Sequence, residues 1–153
     1  MRLAFSVHAT GDHMQVDPRG QRFAAALTTL VLAAALATGD PRVLGFQALV
    51  FGVAVVVGVR YSPYALVFSS LVRPRIGPPE ETEDARPPRF AQGVGLAFAA
   101  LGLVGYLAGP QWLGVAATAL ALFAAFLNAA FGFCAGCEAY LLGRRLTAPG
   151  TAR

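Results

Sequence analysis

The sequence contains no lysine and few charged residues of any kind. All twelve basic residues are arginine, and charged residues make up 13% of the 153 residues. A soluble domain carries about 25%, whereas 56% of this chain is hydrophobic and its mean hydropathy is +0.59. The composition therefore excludes an ordinary soluble domain and predicts an integral membrane protein with a single domain.

Other absences narrow the function further. No basic patch with interleaved aromatic residues is present, so we do not expect nucleic-acid binding, and we predict no cofactor. Residues 1–20 contain no long apolar core. We therefore expect a cytoplasmic N-terminal segment and no signal peptide. Translation from Met14 would shorten this segment, and one interpretation is that it is a disordered extension.

Four apolar runs, at residues 23–38, 43–59, 90–108 and 113–133, dominate the chain. A spanning helix needs about 20 apolar residues, and the first run reaches that length by including Gln21 and Arg22. Tight turns at Gly39 and Gly109 join the runs in pairs. We predict an all-α membrane domain at residues 21–146, with four transmembrane helices as two hairpins and a tail at 147–153.

A shorter segment follows each predicted hairpin. Ser62 and Pro63 are typical of a helix start, so residues 63–72 are expected to form an interfacial or re-entrant helix, followed by an acidic, proline-rich linker at 73–88. The segment from Cys134 onward stands in the corresponding position after the second hairpin. Because Arg22-Phe23-Ala24 and Arg89-Phe90-Ala91 open the two halves, one interpretation is an internal repeat.

The arginines predict the orientation. Eleven of the twelve lie in the N-terminal, central and C-terminal segments, and Arg42 alone lies in a hairpin turn. Positive charge favours the cytoplasmic side, so we expect a multi-pass protein of the cell's inner (plasma) membrane with both termini and both cysteines facing the cytoplasm. Thiols are kept reduced there, so a permanent structural disulfide is not expected.

The only two cysteines form Cys134-Ala-Gly-Cys137 at the end of the last apolar run. Two thiols at this spacing can close a disulfide, hold a metal or carry sulfur, although cysteines also serve as small buried apolar residues. We predict Cys134 as the nucleophile, because it lies nearer the helix start, and Cys137 as the resolving thiol. The reverse order stays open.

Five other residues are candidate supporting groups. Glu138 either takes a proton from a thiol or is an ordinary interfacial carboxylate, and Asn128 either bonds another helix or contacts a substrate. Arg73 and Arg144 approach the cysteines if the two halves pack together, while Tyr140 also fits the aromatic belt at the membrane surface. An alternative is a zinc site that His8 and His13 complete with the cysteines. Our primary expectation is that the protein binds no metal.

Several motifs together resemble one integral membrane family, the domain of unknown function 4395. They are Asp17-Pro18-Arg19, the two Arg-Phe-Ala segments, the stretch 88–95, and Phe133-Cys134-Ala-Gly-Cys137-Glu-Ala-Tyr140. The resemblance covers residues 17–145. It implies an association with thioredoxin-like proteins and rhodanese-type sulfurtransferases, and hence thiol redox or sulfur transfer at Cys134 and Cys137.

The leading hypothesis is thiol–disulfide or persulfide exchange with such a soluble partner, as an oxidoreductase or a sulfur-relay protein. The alternatives are a conduit for a small sulfur species and a non-catalytic membrane anchor for those enzymes. A polar cavity reaching the cysteines would favour the conduit, and a dry bundle with exposed thiols would favour exchange. A quinone-coupled oxidase is a further alternative, against which the charge distribution argues. The substrate and the oligomeric state, including a homo-oligomer, are left open.

Overall fold

The computed structural model describes residues 15–147 and is 83% helical. The helices are α1 (Pro18–Thr38), α2 (Pro41–Val56), α3 (Pro63–Val67), α4 (Arg73–Ile76), α5 (Arg86–Leu107), α6 (Gln111–Phe131) and α7 (Ala135–Thr147). A 3-10 turn (Val59–Tyr61) precedes α3, and a π-helical turn (Phe68–Val72) joins α3 to α4. Two short antiparallel strands, β1 (Gln15–Val16) and β2 (Glu83–Asp84), complete the described fold.

Three helices are long and apolar enough to cross a membrane. They are α1, α5 and α6, of 21, 22 and 21 residues, whereas the apolar helix α2 has 16 residues. At about 1.5 Å per residue α2 extends roughly 24 Å, against a hydrocarbon core of about 30 Å. The prediction of an all-α membrane protein is confirmed. By length and composition, the structure shows three spans where the sequence predicted four.

Helix boundaries differ from the predicted ones where capping residues and prolines act. Helix α1 begins five residues early because the Asp17 carboxylate accepts a hydrogen bond from the Arg19 amide at 2.9 Å, with Pro18 in the first turn. Pro87 and Pro88 likewise fall in the first turn of α5, where a missing N–H is harmless. The π-helical turn lets the chain continue helically past Pro74. The predicted linker at 73–88 therefore shrinks to residues 77–85.

The four longest apolar helices pack in a ring. Helix α6 lies against α1 and α5, α2 lies against α5, and α1 contacts α2. The centre of the ring is closely packed, with Leu32, Leu44 and Ala99 fully buried. Near the turn between α5 and α6, a methyl group at Gly105 would overlap the Gly114 backbone. The helices therefore approach most closely at the end of the bundle that is remote from the cysteines.

At the end of the bundle that carries the cysteines, two arginines form hydrogen bonds between helices. The Arg22 guanidinium, at the start of α1, donates to the Ala129 carbonyl at the end of α6 (3.1 Å). In the same way Arg89, at the start of α5, donates to the Val55 carbonyl at the end of α2 (2.7 Å). Both satisfy carbonyls that a helix end leaves without partners. The starts of α1 and α5 therefore share one end with the ends of α2 and α6.

Other contacts recur in the two halves. Asp17 with Arg19, and Asp84 with Arg86, form the same combination of backbone hydrogen bond and ion pair before α1 and α5. The rings of Phe23 and Phe68 are 5.6 Å apart at a tilt of 46°, and those of Phe90 and Tyr140 are 5.6 Å apart at 47°. The first contact packs the π-helical turn, which follows α1 and α2, against α1. The second packs α7, which follows α5 and α6, against α5.

Candidate functional site

The cysteines lie where the chain leaves α6 and begins α7. Gly132 ends α6 in a left-handed conformation (φ 69°) and donates its N–H to the Asn128 carbonyl. A residue without a side chain is favoured at such a position. The chain then turns through Phe133 to Cys134, directly before α7. This turn places the cysteines outside the apolar body of α6.

Cys134 and Cys137 are paired as a disulfide, with their Cα atoms 5.1 Å apart. The Cys137 N–H points to the Cys134 sulfur at 3.3 Å, and the Glu138 N–H donates to the Cys134 carbonyl at 3.0 Å. Cys134 therefore occupies the capping position of α7, as Ser62 does for α3. Both cysteines are half-buried. An amide aimed at sulfur stabilises a thiolate when the pair is reduced.

Gly136, between the cysteines, allows α7 to lie on α5. A methyl group at this position would come within 2.6 Å of the Ala91 side chain. Real carbon atoms do not approach so closely, so the contact excludes any larger residue unless α7 moves. The position of both sulfur atoms thus depends on a close approach between α7 and the first turns of α5.

A cavity of about 830 Å³ opens at the cysteine pair and runs into the bundle. Cys134, Cys137 and Glu138 line its mouth, and Phe51 and Phe98 line its apolar depth. It reaches Thr28 and Ala121, beyond which the fully buried cluster of Leu32, Leu44 and Ala99 closes the bundle. The cavity therefore ends about halfway along α1 and does not continue towards the opposite end of the bundle.

Three side-chain amides, from Gln21, Gln92 and Asn128, also line the cavity. None of them makes a side-chain hydrogen bond to another residue within 15–147, so the expected interhelical bond of Asn128 is not formed there. An amide without a partner in an apolar environment costs several kcal/mol. These groups are therefore available to water or to a ligand in the cavity.

The chain belongs to the domain of unknown function 4395 family. The family described as "Domain of unknown function (DUF4395)" matches residues 16–145, nearly the whole described chain and both cysteines. The resemblance predicted from the sequence is thereby confirmed. No curated protein and no solved structure matches the chain.

Two of the predicted supporting residues of this DUF4395 protein lie at the cavity, and three do not. Glu138 and Asn128 line it, whereas Tyr140 packs on Phe90 and faces a separate apolar groove with Arg89. Arg73 and Arg144 are absent from the cavity lining. Their charges act instead on Asp17 and Asp84 respectively.

Asp17 and Asp84 both have shifted pKa values. Burial pushes the pKa of Asp17 upward, but the hydrogen bonds and charge of Arg19 outweigh it, so the pKa lies below its usual value. The Arg86 hydrogen bond is the main cause that lowers the pKa of Asp84, against a smaller opposing effect of burial. Both carboxylates are thus held ionised, Asp17 as the N-cap of α1 and Asp84 one residue before the N-cap position of α5.

The zinc alternative involves His8 and His13, which lie outside the described residues. Within residues 15–147 no three histidine, cysteine or acidic side chains cluster as metal ligands.

Sequence reasoning missed Gln21, Gln92 and Thr28 as lining residues. An available signal was that Gln92 interrupts an otherwise apolar stretch near the start of α5 and that Gln21 lies just before the first apolar run. It did not indicate which face of each helix they occupy.

Proposed function

We propose that this DUF4395 protein is a membrane thiol protein whose Cys134–Cys137 pair exchanges with a soluble partner at the cytoplasmic surface. The supporting observation is a cysteine pair at disulfide distance, half-buried, at the start of a helix that lies outside the apolar spans. The partner is a thioredoxin-like dithiol protein. The same cysteine pair could instead accept a sulfur atom from the persulfide of a rhodanese-type sulfurtransferase, by thiolate attack on the outer sulfur.

The proposed topology has four spans, arranged as two hairpins that form an internal repeat. Helix α2 supplies the fourth span, lengthened by the turn up to Arg60 and Tyr61, whose side chains suit the interface. The paired contacts of Arg22 and Arg89 support the repeat. In the described residues nine arginines lie towards the cysteine end and Arg42 at the other, which favours a cytoplasmic position for the cysteines.

The exchange proceeds through a mixed disulfide. In the reduced protein the Cys134 thiolate attacks the partner's disulfide, and one partner thiolate leaves. The Cys137 thiol then attacks the Cys134 sulfur, which releases the reduced partner and closes the Cys134–Cys137 disulfide. Cys134 is favoured as the attacking sulfur because the Cys137 N–H points at it. The reverse reaction carries electrons from the partner to this protein.

The conduit and anchor alternatives are less well supported. A cavity with polar lining residues does reach the cysteines, as a conduit requires, but a conduit also needs a path through the bundle, and the cavity stops at the buried cluster of Leu32, Leu44 and Ala99. An anchor needs no cysteine pair beside a cavity, yet both sulfur-bearing residues line one here. Exchange at the mouth of the cavity uses both features.

Trapping of the mixed disulfide tests the proposal. Cys137→Ser removes the resolving thiol, so we expect this variant to accumulate a covalent complex with a thioredoxin-like protein, with Cys134→Ser giving much less. Intact-mass and peptide mass spectrometry identify the linkage and any persulfide, and the double variant is the control. Alkylation of both cysteines at ordinary rates, with no complex from either single variant, would contradict the proposal.

A further inference from the structure

The first half of the bundle contains a buried polar network that the second half lacks. The Tyr64 hydroxyl, from α3, donates to the Gln47 side-chain carbonyl at 2.7 Å, and the Gln47 amide donates to Thr28 at 3.4 Å. Gln47 is fully buried and Tyr64 is buried. These side chains fill the space that α1, α2 and α3 enclose near the cysteine end.

The recurring contacts identify the counterparts of this network. Arg22 and Arg89 make equivalent contacts, and Thr28 and Gly95 lie equally far after them, so Gly95 is the counterpart of Thr28. Their acceptors are Ala129 and Val55, and by the same spacing Ala121 is the counterpart of Gln47. Tyr64 follows the cap Ser62 as Gly136 follows Cys134.

The three counterparts, Gly95, Ala121 and Gly136, all line the cavity. The cavity therefore lies beside small residues at positions where the first half has larger ones, and Phe51 packs on Gly95 while Ala91 packs on Gly136.

The cavity also has an apolar side. Leu120 and Leu141 line it, and they are 56% and 40% exposed. Leu120 lies within the apolar helix α6, so its exposed surface faces lipid in a membrane. A lipophilic molecule has access from the bilayer, while the cysteines at the mouth remain open to a soluble partner.

The lining restricts the chemistry of the occupant. The volume of the cavity is within the range of small-molecule binding sites, about 300–1,000 Å³. Phe51 and Phe98 suit a flat apolar ring, and the unpartnered amides of Gln92 and Asn128 can donate to carbonyl oxygens. The cysteine pair adds a group that gives up two electrons and two protons together.

Although the charge distribution argued against a quinone-coupled oxidase, the access from the bilayer at Leu120 reopens that alternative, and we infer that the cavity binds the ring of a lipid-soluble quinone, which oxidises the reduced cysteine pair from the cytoplasmic side; this rests on the proposed thiol exchange. The two thiols lose two electrons and two protons and form the Cys134–Cys137 bond. Both quinone carbonyls become hydroxyls. The soluble dithiol partner then supplies two electrons and two protons by exchange, so the net reaction converts partner dithiol and quinone into partner disulfide and quinol.

The test uses the full chain in lipid nanodiscs, reduced and freed of reductant, with a fully ring-substituted decyl benzoquinone as the probe, so that the thiols cannot add to the ring. Quinol formation and the loss of alkylatable thiols are followed together. Ala121→Leu places a larger side chain where the first half carries Gln47. Ala116→Leu makes the same change on an exposed face of α6 outside the cavity. Exchange with oxidised thioredoxin is measured in parallel for every protein.

We expect the wild type and Ala116→Leu to reduce the quinone at equal rates and Ala121→Leu to be at least about tenfold slower, which corresponds to about 1.4 kcal/mol. Exchange with thioredoxin should be unchanged in all three. Asn128→Leu, which removes a donor without entering the tight core, should also slow the quinone step and serves if Ala121→Leu does not fold.

Thioredoxin exchange without quinone reduction would overturn this inference and leave the proposed function intact. So would equal quinone rates in wild type, Ala121→Leu and Asn128→Leu. Failure of thioredoxin exchange in the wild type would instead overturn the proposed function.

Discussion

At the scale of single residues, Gly136 links the fold to the chemistry. It separates the two cysteines, lines the cavity and lets α7 touch α5 at Ala91. The counterpart in the first half is Tyr64, whose side chain fills the equivalent space. This position therefore contributes to the cavity lining and also sets how closely the helix that carries the sulfur atoms approaches α5.

Gly136→Ala should therefore destabilise the protein by about 1–3 kcal/mol, because the added methyl group overlaps Ala91. Gly143→Ala is the matched control on the same helix, since nothing lies within 4 Å of the added methyl group there. It should be neutral or stabilise by up to about 1 kcal/mol. Thermal unfolding in detergent measures both. Ala91→Gly should restore the stability of Gly136→Ala, and no rescue would contradict the assigned contact.

The cysteine pair could be located from the sequence, since the spacing and the end of an apolar run are local features. The roles of Tyr140, Arg73 and Arg144 could not. They depend on the rotation of a short helix about its axis once it docks, and docking is set by contacts such as that between Phe90 and Tyr140. Asn128 was correctly singled out as polar in an apolar run, but its missing partner required the structure.

At the scale of helices, capping explains where α1 and α5 begin. Asp17 and Asp84 each accept a backbone N–H at 2.9 Å and pair with the arginine two residues on. Neither start was predictable from hydropathy, because both helices begin in polar sequence before the apolar run. The π-helical turn before Pro74 was equally invisible, since a proline normally indicates a helix end.

These carboxylates should make stability fall in acid. Their pKa values are lowered in the folded protein, so their contribution is present above the unfolded pKa of about 3.9 and is lost as the pH falls through the lower folded pKa. The combined change Asp17→Asn and Asp84→Asn keeps side chains that can cap but removes both ion pairs. We expect the variant to show a flatter melting temperature between about pH 2 and 5; an unchanged pH profile would contradict this assignment.

At the scale of the whole molecule, the two halves contain equivalent contacts but differ in the size of the side chains in their interiors. A buried network of Tyr64, Gln47 and Thr28 fills the first half, whereas the cavity beside the cysteines is lined mainly by the second half and reaches Thr28 at its inner end. Membrane proteins often place binding sites at repeat interfaces, and in the proposed repeat the buried polar network lies in the first half and the cysteine pair in the second. The sequence indicated the repeat only through its Arg-Phe-Ala segments, because the recurring contacts join residues that are far apart in the chain.

The two-hairpin topology makes a prediction about which loops share a side. In a cysteine-free background, Gln111→Cys and Arg42→Cys mark the turns remote from the cysteine site, and Glu81→Cys marks the linker beside it. A membrane-impermeant thiol reagent should label the first two in intact cells and the third only after permeabilisation, because positive charge holds the arginine-rich end in the cytoplasm. If α2 did not cross the membrane, Arg42→Cys and Glu81→Cys would label from the same side. That result would leave α1, α5 and α6 as the only spans and would remove the symmetry on which the two-fold comparison of cavity and plug depends.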